Sequence, residues 1–76
     1  MEITGFIKKF AEAMEIEDAS ACTIETEFRK LDEWSSLAAL SIIAMVDEEY
    51  DITIKGDDIR NSKTIGELFE IVKSRV

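Results

Sequence analysis

Ile3, Phe6, Ile7, Phe10 and Met14 recur at intervals of three and four, with Lys8, Lys9 and Glu12 between them. That spacing predicts an amphipathic helix over 3–14 with one apolar stripe turned to the core. A second helix is predicted over 36–49, where Leu37, Leu40, Ile43, Ala44 and Val46 mark one broad face and Ile42 and Met45 lie to its side. Ser41 is the only polar residue between Leu37 and Val46. A helix apolar nearly all round is either central to the core or docks something on its free side. Ser35 is its predicted N-cap, because the side chain can accept a hydrogen bond from a free amide of the first turn. The last helix begins at Thr64, which forms a capping box with Glu67, and Ile65, Leu68, Phe69, Val72 and Val76 supply its buried stripe.

The segments between these helices read less clearly. Over 15–33, Ile16, Ile24, Phe28 and Leu31 are spread without a clean period. Such a long connection is expected to be pinned by those apolar residues, with a turn of helix over 25–30. Tyr50 to Ile54 breaks the helical rhythm and reads as extended. Gly56 to Arg60 reads as a short helical turn with Asp57 and Asp58 near its amino end. The pattern therefore predicts a single all-α domain over 1–76.

Composition narrows the function. Asp and Glu outnumber Lys and Arg by 17 to 9, for a formal charge of −8. Such a surface repels phosphate backbones and anionic membranes, and favours proteins with basic patches as partners. There is no histidine, and Cys22 is the only cysteine, which excludes an internal disulfide and a four-cysteine zinc site. No apolar run approaches the length of a membrane span, and the amino terminus lacks the pattern of a secretion signal, so the expected location is the cytoplasm.

The candidate chemistry centres on Ser36. A serine becomes a strong nucleophile only beside a base or a metal, and this chain offers no histidine for the purpose. A self-contained serine hydrolase is thereby disfavoured. At the amino end of a helix, free amides and the positive end of the dipole suit a phosphate attached to the hydroxyl. On local pattern alone, a capping serine without chemistry is the commoner outcome. The acidic cluster Asp47, Glu48, Glu49 and Asp51 lacks calcium-loop spacing and reads as a solvated face or a docking surface, and no metal site is expected. Cys22 has no cation near it in sequence to activate the thiol and reads as a partly buried small residue. Trp34 fits equally a partner contact and a local anchor closing the long connection onto the second helix.

Ser36-Leu37, the apolar run to Val46, Asp47-Glu48-Glu49-Tyr50, Ile54, the acidic turn at Asp57-Asp58 and the Thr64-Ile65 helix start together resemble the acyl carrier proteins. The match in order and spacing runs from about Phe28 to Val72, and the first helix fits as well. The resemblance implies a four-helix bundle of three longer helices and one short one. It implies a covalent 4′-phosphopantetheine arm on Ser36, whose thiol holds acyl groups as thioesters in fatty acid, polyketide or related biosynthesis. It also implies a carrier that is not itself an enzyme and works as a monomer. Its partners would be a phosphopantetheinyl transferase and acyl-transferring or condensing enzymes with basic patches, docking at Ser35, Leu37, Asp47, Glu48, Asp57 and Asp58. Ala39, Ile42, Ile54 and Ile59 are candidates to line a pocket for the acyl chain, and ordinary core packing explains them equally well. The family's usual aspartate before the modified serine is Ser35 here, its early acids on the second helix are Ala38 and Ser41, and Trp34 replaces a small residue. These departures point to a specialised carrier. The alternative is a divergent acidic interaction module with the same fold and no arm.

Overall fold

The computed structural model describes residues 2–16 and 22–76. Within them lie helix α1 (Ile3–Ala13), a 3-10 turn (Phe28–Lys30), α2 (Ser36–Tyr50), the short α3 (Gly56–Arg60) and α4 (Ile65–Arg75), with no strand among the described residues. The all-helical bundle with three longer helices and one short one is thus observed. No described helix is long and apolar enough to cross a membrane.

Aromatic contacts join the long helices, and Tyr50 at the end of α2 meets Phe6 of α1 at 6.0 Å. Phe69 of α4 meets Phe6 of α1 edge-on at 5.4 Å, and Phe6 and Phe10 lie one turn apart. Phe10 meets Phe28 at 5.4 Å, and Phe28 meets Trp34 at 5.1 Å, both edge to face. Edge-to-face pairs add to the stability that burial of the rings already gives. The chain of rings runs from the carboxyl-terminal helix to the residue before Ser35, so core packing fixes where α2 begins. Trp34 is therefore the local anchor, half-buried on fully buried Phe28.

α1 ends in left-handed geometry, with Glu15 at φ 60°. The Ile16 amide donates to the Ala11 carbonyl at 2.9 Å and the Glu15 amide to the Glu12 carbonyl at 3.0 Å, which is the Schellman pattern. The connection over 15–33, of which 17–21 lie outside the described residues, is pinned largely as expected: Phe28 is fully buried, Ile16 and Leu31 pack against the core, and a 3-10 turn forms over Phe28–Lys30. The exception is Ile24, which is 51% exposed. Backbone groups hold it instead: the Ile65 and Gly66 amides donate to the Thr26 and Ile24 carbonyls at 3.0 and 2.9 Å. Those are two of the four orphan donors at the start of α4. The Thr64 hydroxyl accepts from the Glu67 amide at 3.2 Å and satisfies a third, and the Leu68 amide makes the first intrahelical bond, to the Thr64 carbonyl. The Glu67 carboxylate reaches the Lys63 amide at 2.8 Å, one residue upstream of the predicted capping box.

Two apolar stripes differ from the sequence pattern. In α2 the buried residues are Ala38, Ile42, Met45 and Val46, whereas Leu37 and Leu40 are 72% and 62% exposed and Ala44 is exposed as well. Polar residues do not mark one side of this helix, so periodicity could not select the inward face; the anchor at Trp34 and contact with α1 select it. At the end of α4, Val76 lies beyond the last turn and is 72% exposed. Tyr50, expected to break the helix, is the last residue of α2; beyond it Ile52 and Ile54 are buried and Thr53 is exposed, the predicted alternation. Asp51 caps α2 in left-handed geometry at φ 55°.

Candidate functional site

The site is built on the Trp34 anchor. Ser35 follows in extended geometry, and its Oγ accepts from the Ala38 amide at 3.1 Å while its carbonyl accepts from the Ala39 amide at 3.0 Å. Ser35 is thus the N-cap, and its hydroxyl is committed to the backbone. Ser36 is the first residue of α2; it is exposed, and its hydroxyl makes no hydrogen bond among the described residues. Both serines are exposed, and they differ in the hydroxyl: Ser35 Oγ is engaged by the helix start and Ser36 Oγ is not.

Ser36 and Ser35 both border a cleft of about 340 Å³ that is also lined by Arg29, Trp34, Ala39, Gly56, Ile59 and Arg60. Of the four residues considered for an acyl pocket, Ala39 and Ile59 line this cleft. Ile42 and Ile54 do not; at 0% and 1% exposure they belong to the core, as does Ile59 at 3%, which meets the cleft only at its floor. Ser35 also borders a second, smaller hollow with Leu37, Ala13, Met14 and Glu33.

The predicted docking residues divide into free and committed groups. Leu37, Asp47 and Glu48 are exposed, and Asp47 lies about 16 Å along α2 from Ser36 at the usual rise per residue. Asp57 is exposed and paired with Arg60 in the next turn. Asp58 is half-buried and structural: it takes two hydrogen bonds from the Arg75 guanidinium at 2.8 Å each and one from the Lys55 amide at 2.9 Å. The Arg75 contact first, and the Lys55 amide second, hold its carboxyl below the ordinary range. This bidentate pair ties α3 to α4. Across the molecule, Lys9 of α1 pairs with Glu49 of α2 at 3.0 Å, which raises the lysine's pKa.

Pattern reading did not anticipate Arg29 and Arg60 beside Ser36. They lie in two distant stretches of sequence, and only the fold brings the 3-10 turn to α3. Next to the cleft, Lys30 and Lys63 join the same two arginines around Glu27, whose carboxyl they pull down, Lys30 foremost. Cys22 is buried. Among the described residues no group of three or more His, Cys, Asp or Glu side chains is placed to hold a metal ion.

An exposed primary hydroxyl on a rigid helix start, with no imidazole anywhere in the chain, is suited to accept a group from an activated donor whose enzyme brings its own base. The adjoining cleft supplies room and positive charge for a phosphate-linked substituent, so the residues present fit a phosphopantetheinyl group. The chain matches a family model described as the phosphopantetheine attachment site over residues 5–72. Comparison with curated proteins and with solved structures gives no match.

Proposed function

Because this chain belongs to the phosphopantetheine-attachment family, whose members carry 4′-phosphopantetheine covalently, we propose that Ser36 is the attachment point and that residues 1–76 act as one acyl carrier domain. The observation that carries the assignment is the contrast between the two serines: Ser35 Oγ is used by the helix cap, and Ser36 Oγ is free and exposed. When attached, the group supplies a terminal thiol that holds an acyl chain as a thioester.

The residues of the chain position and present; they do not activate. In the loading step the Ser36 hydroxyl oxygen attacks the phosphorus of coenzyme A that bears the pantetheine. One P–O bond forms, the P–O bond to adenosine 3′,5′-bisphosphate breaks, and the serine proton passes to a base of the transferase. A domain without histidine has no base of its own beside that hydroxyl, which is consistent with a carrier and not an enzyme. The cap at Ser35 and the Phe28–Trp34 contact hold Ser36 on a stiff element, so a visiting enzyme meets it in one orientation.

Carrier domains of this family work with biosynthetic enzymes. For this chain the partner face comprises Leu37 and Leu40 on the outer side of α2 with Asp47 and Glu48 further along it, an apolar patch beside an acidic one. It suits enzymes that present an apolar contact and a basic rim. Asp57 is exposed beside Arg60 and stands apart from the α2 face, and Asp58 contributes to the fold instead. The apolar surface at Leu40 and the absence of early acids at Ala38 and Ser41 favour a specialised acyl pathway over primary fatty acid synthesis. To test the assignment, the apo protein is incubated with coenzyme A and a broad-specificity transferase, and intact mass is recorded. One phosphopantetheinyl group should be gained, and Ser36→Ala should gain none. Loading that survives Ser36→Ala, or no loading of the parent, refutes it; the latter result is what the arm-free interaction module predicts.

A further inference from the structure

The cleft beside Ser36 has the opposite sign to most of the surface. In a chain with 17 acids and 9 bases, its charged lining residues are Arg29 and Arg60, and no carboxylate lines it. Arg29 has no ion-pair partner among the described residues. Arg60 pairs with Asp57, but both side chains are more than two-thirds exposed, so that contact is weak and readily exchanged. The guanidinium of Arg60 lies over Gly56, where an added Cβ would be 3.4 Å from its Nη1. The rest of the lining is largely apolar, from Trp34, Ala39 and Ile59.

We propose that Arg29 and Arg60 hold the phosphodiester at Ser36, and that Trp34, Ala39 and Ile59 take the adjoining pantetheine chain, so that the arm rests in this cleft between visits to partner enzymes. The proposal depends on Ser36 being the attachment point. Guanidinium groups suit phosphate oxygens because their N–H donors form a planar fork. The indole and the two aliphatic side chains offer an apolar bed for the methyl-bearing part of the chain. Tethering supplies the remainder of the affinity: a group attached at the cleft's edge has an effective concentration on the order of millimolar. A cleft with only millimolar affinity for the free group would then be about half filled. Carboxylates at positions 29 and 60 would repel the same phosphate.

Trp34 is the only tryptophan and lines the cleft, so its emission reports occupancy directly. Fully loaded protein, verified by intact mass, is compared with apo protein for Trp34 emission and for quenching by acrylamide. Loading should shift the emission to shorter wavelength and reduce quenching. Both changes should be lost at about 1 M salt, where the screening length falls to about 3 Å. They should also be lost in loaded Arg29→Gln/Arg60→Gln, be retained in Arg29→Lys/Arg60→Lys, and be retained in Lys73→Gln, which alters a cation of α4 outside the cleft. Full loading with an unchanged Trp34 signal, or a signal that persists in the double glutamine variant, overturns this proposal alone. Absence of the added mass overturns the assignment of Ser36 and this proposal with it.

Discussion

Replacing each of the two adjacent serines by alanine separates the mechanical role from the chemical one. Ser35→Ala removes the Oγ that accepts from the Ala38 amide at 3.1 Å and leaves that donor without its cap. Loss of such a cap costs about 1 kcal/mol, within a range of about 0.5–2 kcal/mol. For a domain of 76 residues this lowers the melting temperature by about 4–8 °C per kcal/mol. Ser36→Ala removes an exposed hydroxyl with no hydrogen bond among the described residues, and alanine is the better helix former. Its stability should change by no more than about 0.5 kcal/mol, with stabilisation the expected sign. Ser35→Asp should recover the cap, since aspartate caps as well as serine and suits the positive end of the helix. Thermal unfolding of the apo proteins followed by far-UV circular dichroism reads all three, and the loading reaction supplies the second axis. Ser35→Ala should be less stable and still loadable; Ser36→Ala should be as stable as the parent and not loadable. Equal destabilisation by both alanine variants, or an unchanged melting temperature for Ser35→Ala, would refute the division of labour.

The inward face of α2 is tested by a pair of variants: Ile42→Ala should cost about 2–5 kcal/mol, whereas Leu40→Ser, at a side chain 62% exposed, should cost less than about 0.5 kcal/mol in urea unfolding. Comparable losses would restore the face that periodicity suggested. Gly66→Ala should destabilise despite a helix-propensity gain of about 1 kcal/mol, because the new Cβ would stand 2.9 Å from the Ile24 carbonyl oxygen, a backbone atom already bonded to the Gly66 amide. A higher melting temperature would contradict that close approach. The Asp58–Arg75 pair sets an acid limb: because the folded carboxyl titrates below the ordinary value of 3.8, its contribution is complete at neutral pH and is lost as pH falls from about 4 through the depressed folded value. Asp58→Asn should lower the melting temperature at pH 7 and flatten its fall below about pH 4, and parallel acid limbs for parent and variant would refute the assignment.

Helix starts with a chemical signal were the most legible part of the sequence. Ser35 and Thr64 cap the helices they were expected to cap, and the short acidic turn at Asp57-Asp58 forms α3. The direction in which α2 faces was not legible, because Leu37, Leu40, Ile42, Ile43 and Met45 offer no polar side to read against. In the long connection Ile16, Phe28 and Leu31 pack on the core as read, and only Ile24 departs. The fastening at 24 and 26 uses backbone carbonyls, which every residue possesses, so side-chain hydropathy at Ile24 carried no information. Ser36 was singled out from order and spacing, but Arg29 and Arg60 beside it depend on a contact between separated stretches. Val76 continued a stripe that the helix end cut short. Asp58 looked like a surface acid until Arg75, 17 residues away, was seen to engage both of its oxygens.

The most direct measurement is tandem mass spectrometry of the protein isolated from its own host after tryptic cleavage at Lys30 and Lys55. The intervening peptide contains Ser35, Ser36, Ser41 and Thr53, so fragment ions must locate the added group among neighbours of like chemistry. A phosphopantetheinyl mass confined to Ser36, with any acyl cargo on its thiol, is the predicted result. The same mass on Ser35 or Ser41, or a peptide that is never modified, would contradict the assignment.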